Sequence, residues 1–275
     1  MNVAVPVQKT TDVIIRGVTK VFRRSPAEGD VHALGPIDLE LRAGEFFAVV
    51  GPSGCGKSSL LEIIAGISEP TEGEVLFEGK PIRGRVPEGI GVVFQEDACF
   101  PWMDVSANIA MGLRNMPIGS AEREQRVKGA LEMMGLTEFR ASYPTQLSGG
   151  MRQRVCIART MVMAPRLILL DEPFGALDQQ TRLLMGEEML KLWRRVGTTI
   201  FLITHALDEA AMLADRIGVM SARPGRLLDI IETGWPVERT SEVVTRPEFG
   251  QITARLWKGL REESLKAIRD DRAAP

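Results

Sequence analysis

FFAVVGPSGCGKSSLLEIIAGI, residues 46–67, changes character twice within a short span. It opens with FFAVV, an apolar run of strand length. A glycine-rich turn follows. From Ser58 onward the apolar residues fall at Leu60, Leu61, Ile64 and Ile67, which is a helical period. Strand, glycine loop and helix in that order make the βα unit of a parallel sheet. The turn itself, GPSGCGKS from Gly51 to Ser58, satisfies G-x-x-x-x-G-K-[ST]. Glycines at that spacing let backbone N–H groups wrap phosphates. Lys57 then reaches the β- and γ-phosphates, and the Ser58 hydroxyl is placed for Mg²⁺. The helix N-terminus adds favourable potential for the anion.

Outward from this unit, LILLD (Leu167–Asp171) and TIFLITH (Thr199–His205) are further continuous apolar runs, each preceded by a helical segment. Such runs belong to parallel strands buried on both faces. The chain before the glycine loop reads differently. VIIRGVTKVF (Val13–Phe22), IDLELRAGEFFAVVG (Ile37–Gly51, with a turn at Ala43-Gly44) and EVLFEGKPI (Glu74–Ile82) form a strand-and-turn series of antiparallel character. Between Gln95 and Pro165 the strand signal fades. SAEREQRVKGALEMMGL places Val127, Ala130, Leu131 and Met134 on one helical face, and SGGMRQRVCIARTMVMA is helical with Ser148 as its N-cap. The expected fold is therefore α/β. It resembles a P-loop NTPase (RecA-like) core with a mostly parallel sheet, to which this chain adds an N-terminal antiparallel β subdomain and a helical subdomain inserted over residues 97–158. The core domain spans residues 1–234. The tail, 235–275, begins loop-like (GWPVERTSEVVTRPEF) and then carries Phe249, Ile252, Leu256 and Leu260 on an amphipathic helix that packs on its own domain.

Composition narrows the classes. The 275 residues carry 34 basic and 36 acidic side chains, so there is no basic excess to suit nucleic acid. Three cysteines, Cys55, Cys99 and Cys156, lack CxxC spacing and give neither a disulfide framework nor a zinc site. MNVAVPVQKTTDV has no basic region followed by an apolar one, and no apolar run approaches the roughly 18 residues of a membrane helix. A soluble, cytosolic chain is expected, one able to sit on a membrane protein.

Two more motifs carry chemistry. LILLDEP (Leu167–Pro173) ends a buried strand in two acids. Asp171 is placed to hold Mg²⁺ through water, and Glu172 to orient and deprotonate an attacking water. LSGGMRQR (Leu147–Arg154) sets Ser148, Gly149 and Gly150 at a helix N-terminus, a second phosphate-binding arrangement. This second site lacks a lysine and acids of its own. If it grips the γ-phosphate of a nucleotide held by another copy, the chain dimerises head to tail.

In this order the motifs resemble those of the ATP-binding subunits of ABC transporters, from Val13 to about Gly234. GPSGCGKS looks like the Walker A loop, LSGGM the signature and LILLDEP the Walker B strand. The resemblance makes Gln95 the Q-loop glutamine, Ala176–Asp178 the D-loop and His205 the switch histidine, with Phe22 stacking on adenine. It implies an ATPase in which Glu172, His205 and Gln95 are catalytic. Phe22, Gly51, Pro52, Ser53, Gly54, Cys55, Gly56, Lys57, Ser58, Ser59, Ser148, Gly149, Gly150 and Asp178 bind ATP. Ser58, Gln95 and Asp171 hold Mg²⁺. It further implies a sandwich dimer of two copies around two ATP molecules. Cys55, at a helix N-terminus, is expected to have a lowered thiol pKa and to be protected by ATP from alkylation.

PSGCGKSSLL, FQEDACFPWMDVSANI, DEPFGALD and ADRIGVMSARPGR are similar to the nitrate/sulfonate/taurine importer branch. Cys99-Phe100 and Ala206 depart from that branch, where aliphatic residues and an aspartate are usual. The resemblance implies a permease dimer docking at the groove near Phe100–Trp102, a binding protein outside the membrane, and a place on its cytoplasmic face. Trp102 is either an anchor for the permease or a cap on the subdomain's own core. Exporter subunits, non-transport ABC ATPases and small-molecule kinases are the rival classes. The cargo stays open among nitrate, alkanesulfonates, taurine, other small organic acids and heterocyclic vitamin precursors.

Overall fold

The computed structural model describes residues 13–23, 29–95, 98–175 and 177–273, with the backbone alone for 268 and 270–273. The N-terminal stretch, Asp97 and Ala176, all named above, lie outside the described residues.

Two sheets share the chain. In the first, β1 (Val13–Phe22) lies between β2 (Val31–Leu41) and β4 (Glu72–Phe77), with the short β5 (Lys80–Pro81) at the edge, all antiparallel. In the second, six strands run in the order β10 (Leu227–Glu232), β9 (Arg216–Met220), β3 (Phe46–Val50), β8 (Thr199–Ile203), β7 (Leu167–Asp171), β6 (Ile90–Val93). Every pairing there is parallel except that of β10 with β9. The Ala43-Gly44 turn therefore joins two sheets and is not a hairpin within one.

All residues of β3, β7 and β8 are buried, because both faces of the parallel sheet are covered. Phe46, Ala48, Ile168, Leu170, Ile200 and Leu202 face one core, shared with the helices. Phe47, Val49, Leu167, Leu169, Phe201 and Ile203 face the other. That second core also holds α1 (Lys57–Ile64), through Leu60, Leu61, Ile63 and Ile64, and the inward residues Val13, Ile15, Ile37, Leu39 and Leu41 of the antiparallel sheet. Full burial of each such side chain is worth about 1.5–3 kcal/mol, so the glycine loop is anchored at both ends by apolar packing.

The strands β6, β9 and β10 are not evident in the sequence. IGVV and RIGVM are short and broken by glycine, so periodicity does not separate them from loop. Between β6 and β7 come α2 (Val105–Ala110), α3 (Ser120–Met133) and α4 (Gly149–Met161). The helix α4 runs past Ala158, and its Val155, Ile157 and Ala158 join the same core as the sheet. Then α5 (Gln179–Val196) precedes β8, and α6 (Leu207–Leu213) follows it.

In the tail, Ser241–Thr245 form a 3-10 turn, and α7 (Pro247–Ala273) carries Phe249, Ile252, Leu256 and Leu260 as expected. Pro247 is its first residue, where a proline's missing N–H costs nothing. Ile252, Leu256 and Leu260 are buried in the main core. Trp235 donates its indole N–H to the Ala211 carbonyl, and the Glu263 carboxylate accepts from the Ala222 N–H at 2.8 Å.

Candidate active site

Five parallel strands, β3, β6, β7, β8 and β9, end on one edge of the sheet. Ligands in α/β proteins bind outside the carboxyl ends of such strands. Here those ends deliver the glycine loop, Gln95, Glu172, His205 and Arg223 to one cleft of about 680 Å³, also lined by Phe22, Val31 and Ala33. That volume suits a small-molecule ligand.

The loop Gly51–Gly56 is shaped by close approach. Gly56 has φ 103°, and a Cβ there would lie 2.7 Å from the Ala33 carbonyl oxygen, so only glycine fits. Lys57 folds back over the loop, its Nζ donating to the carbonyls of Gly51 and Pro52 at 2.9 Å each. The loop is pinned from outside by Arg223, whose Nε and Nη2 donate to the Gly54 carbonyl at 3.1 and 2.9 Å. Next to it, a Cβ on Gly225 would lie 2.0 Å from the Cys55 carbonyl oxygen. Sequence reasoning used Arg223-Pro-Gly as a branch marker and missed this contact. An arginine and a glycine flanking a proline just past a strand were the available signal.

At the end of β7, the Asp171 carboxylate lies near the Ser58 hydroxyl and the charges of Glu172 and Lys57. Burial pushes the Asp171 carboxyl above its ordinary range, the Ser58 hydrogen bond opposes that, and the charge of Glu172 adds to it. Its Oδ1 is buried with no hydrogen-bond partner among the described residues. Such an atom is expensive unless something satisfies it. A hydroxyl beside an orphaned carboxylate oxygen is a hard-oxygen donor set of the kind Mg²⁺ takes.

Glu172 has φ 46°, an uncommon left-handed conformation for a residue with a side chain. Its Oε2 accepts from Gln95 Nε2 at 3.1 Å and lies 3.1 Å from His205 Nδ1. Three residues from three strand ends thus meet on one carboxylate oxygen, beside the phosphate loop.

Behind His205 lies a fully buried acid. Glu209, on α6, accepts from the Thr204 hydroxyl at 2.7 Å, and Ala206 N–H donates to that same hydroxyl oxygen at 3.0 Å. Burial pushes its carboxyl up to about 7. A polar residue on an apolar helix face was the signal for it, and the sequence reading passed over it.

The other sequence-singled residues divide between the cleft and its surroundings. Ser53, Gly54, Gly56, Lys57, Ser58 and Ser59 line the cleft. Gly51, Pro52 and Cys55 do not; Gly51 is packed on the Cys55 sulfur and Met220. Phe22 is 42% exposed at the rim, with Lys20 Nζ 5.2 Å from its ring centroid. Ser148, Gly149 and Gly150 cap and open α4 away from the cleft, and Ser148 Oγ accepts from Met151 N–H. Asp178 caps α5, held below the usual carboxylate range by hydrogen bonds from Thr181. The expectation for Cys55 is overturned. The residue is only 1% exposed, and burial raises its thiol pKa, overriding the nearby Lys57. ATP protection of that thiol is not a usable signal.

Phe100–Asp104, beyond Gln95, are held by one buried side chain. Asn108, fully buried, accepts from Phe100 N–H and donates to the carbonyls of Phe100, Met103 and Asp104. This clamp holds Trp102 70% exposed, its ring 5.6 Å from that of Phe100. Trp102 therefore does not cap the subdomain's core.

The fold and the cleft define a P-loop ATPase. The family model described as ABC transporter matches residues 34–175. The chain is 43% identical over 257 residues to an uncharacterized ABC transporter ATP-binding protein of Methanocaldococcus jannaschii, covering 93% of each. It is 41% identical to the taurine import ATP-binding protein TauB of Roseobacter denitrificans (90% of this chain, 94% of the relative). It is also 43% identical to an aliphatic sulfonates import ATP-binding protein, SsuB, of Bacillus cereus (83% and 88%). Among solved structures, it matches a dimeric post-hydrolysis ATP-binding cassette bound to ADP and Pi, with TM-score 0.70 and 31% identity over 80% of this chain and 98% of that one. The chain belongs to the ABC transporter family. It is an ATP-binding, ATP-hydrolysing subunit of that family.

Proposed function

We propose that this chain powers an importer for a small solute, an anion such as nitrate, a sulfonate or taurine. The observation carrying the ATPase half is the meeting of Gln95, Glu172 and His205 on one oxygen beside the Lys57 loop. Likeness to the taurine and sulfonate import proteins over most of the chain supports the importer half.

ATP lies with its phosphates on the loop from Gly51 to Ser59 and its adenine against Phe22. Binding draws Lys57 off the Gly51 and Pro52 carbonyls and onto the β- and γ-phosphates. Glu172 accepts the proton of the attacking water, and His205 and Gln95 hold the γ-phosphate and that water in line. Ser58, Asp171 and the Gln95 amide oxygen would hold Mg²⁺, which supplies neutralising charge on the phosphate oxygens. Lys57, Ser58 and the loop amides do the positioning.

Ser148, Gly149 and Gly150 do not line their own chain's cleft. We assign them to the γ-phosphate of the ATP held by a second copy, with Asp178 beside the same interface. The chain then works as a dimer closed by ATP and reopened by hydrolysis. No helix among the described residues is long and apolar enough to cross a membrane. The pore is assigned to a separate permease that docks at Phe100–Trp102 and holds the chain at the cytoplasmic face. A binding protein outside the membrane delivers the solute.

Deleting the gene tests this. Growth on taurine or an alkanesulfonate as sole sulfur source, or on nitrate as sole nitrogen source, should be lost for one of them. Unimpaired growth on all three would reject the anion-importer reading.

A further inference from the structure

Two thiols meet at the junction between the cleft and the exposed aromatics. Cys99 Sγ lies 3.5 Å from Cys156 Sγ, although the residues are distant in sequence. Cys99 is partly exposed on the loop that runs from Gln95 to Trp102. Cys156 is 4% exposed on α4, the helix that starts behind Ser148. The surroundings hold both in place. The Cys99 thiol donates to the Arg152 carbonyl at 3.5 Å. Arg159 donates to the Ala98 carbonyl at 2.8 Å and to Cys156 Sγ at 3.8 Å, and its guanidinium lies 5.1 Å from the Phe100 ring centroid. Loop and helix are thus already fastened around the sulfur pair. A disulfide needs an S–S separation of about 2.05 Å, so the two sulfurs must draw closer for the bond to form.

The geometry points to Cys99 and Cys156 as a reversible oxidation site, bonded by peroxide-class oxidants into a disulfide that bolts the Gln95–Trp102 loop to α4. Cys99, the accessible sulfur, attacks the peroxide. An S–O bond forms, the O–O bond breaks, and the departing oxygen leaves as water with the thiol proton. Cys156 then attacks the Cys99 sulfur. The S–S bond forms, the S–O bond breaks, and a second water leaves. Two electrons pass from the two thiols to one peroxide, and a dithiol reductant returns them. The third cysteine, Cys55, is buried under the glycine loop and has no sulfur partner among the described residues.

The bond is independent of the transporter reading; only its effect on turnover rests on it. That effect follows from position. Gln95 contacts Glu172, and the same loop presents Trp102. Bolting it to α4 makes the catalytic glutamine, the docking aromatics and the Ser148–Gly150 helix a single body, unable to adjust to one another.

The test treats the reduced full chain with hydrogen peroxide and digests it with trypsin. Mass spectrometry should find residues 86–114 joined to residues 155–159, two hydrogens lighter than the sum and separated by dithiothreitol. Cys99→Ala and Cys156→Ala should each abolish the joined peptide, so either one decides if the other fails to fold. Recovery of both peptides as thiols, or of Cys99 as sulfinic acid without the joined species, overturns the proposal. In parallel, ATPase of the oxidised chain should fall roughly tenfold, within the usual span of coupling between sites, and recover on reduction. A joined peptide with unchanged turnover overturns the role as a brake.

Discussion

His205 Nδ1 and Glu172 Oε2 lie 3.1 Å apart, and Gln95 Nε2 reaches that same oxygen at 3.1 Å. The carboxylate assigned as the base is thus engaged by the two side chains assigned to hold the γ-phosphate. For those side chains to reach the γ-phosphate, these contacts must part. The contact also bears on the left-handed backbone of Glu172, since partners just past the ends of β6 and β8 hold its side chain in place.

Glu172→Gln keeps the shape and hydrogen-bonding reach of the side chain and removes its basicity. Phosphate release should fall by roughly 10²–10⁴, while a fluorescent ATP analogue still binds. With hydrolysis blocked, the ATP-closed dimer should accumulate on gel filtration. Near-normal turnover would remove Glu172 as the base.

Asp171 Oδ1 is buried and unpartnered, which marks the place where a cation would be felt. Asp171→Asn should raise the Mg²⁺ concentration needed for half-maximal hydrolysis by roughly 10–100-fold, as for groups that act on a metal through its bound water. Chelation of Mg²⁺ should abolish hydrolysis in the parent chain. An unchanged Mg²⁺ titration in the variant would show that the carboxylate serves the fold alone.

How much of this was legible in the sequence depended on whether the signal was local. The glycine loop was plain because strand, turn and helix are contiguous around Gly51–Ser58. The β3, β7 and β8 core was plain because burial on both faces produces unbroken apolar runs. The sheet's outer strands were not, since β6 and β9 are short and hold glycine. Cys55 was misread because position at a helix N-terminus is local, whereas its burial beneath Met220 and Gly225 is tertiary. Arg223 and Glu209 stand out locally by residue type, but they act through a neighbour distant in sequence (Gly54) or through depth of burial, which no local pattern gives. Glu172 was named from the acid pair ending its strand, and Gln95 and His205 through the order of motifs; nothing within any one segment places them on a common oxygen.

Arg223 holds the Gly54 carbonyl with two donors of one planar guanidinium. Hydrogen bonds from charged groups contribute more than neutral ones, and this one is lessened by exposure. Arg223→Ala should raise the KM for ATP by up to about tenfold, with a smaller change in kcat. Arg223→Lys should rescue little of it, because an ammonium cannot reproduce the fork. Equal KM values in parent and alanine variant would reduce Arg223 to a surface residue.

Trp102 is held out to solvent by the Asn108 clamp and supports no core of its own. Trp102→Ala should leave the melting temperature of the isolated chain nearly unchanged, since surface changes stay within about 0.5 kcal/mol. It should nonetheless abolish co-purification with the permease, because exposed aromatics dominate interface energetics. A large drop in melting temperature would return Trp102 to a packing role.

Glu209 supplies a pH test with a definite sign. Its carboxyl lies at about 7 in the fold against 4.5 for an unburied glutamate. Burial is the main cause; the Thr204 hydrogen bond and the charge of Arg182 oppose it, and the charge of Glu172 adds to it. The folded state therefore binds a proton more tightly than the unfolded chain. Whatever stability that proton confers is fully present below about pH 4.5 and is lost as pH rises to about 7, where the buried group must ionise. Glu209→Gln keeps an acceptor for the Thr204 hydroxyl and never ionises. Relative to the parent, its stability should be little changed at pH 4.5 and should gain up to ~3 kcal/mol by pH 8. Denaturant melts at the two pH values measure the difference directly. Because Thr204 also accepts from Ala206 N–H, in the turn that carries His205, the ATPase pH profile should lose its inflection near neutrality if Glu209 ionisation moves that turn. A stability gain that is the same at both pH values would mean that Glu209 is ionised throughout, and that Arg182 compensates its burial.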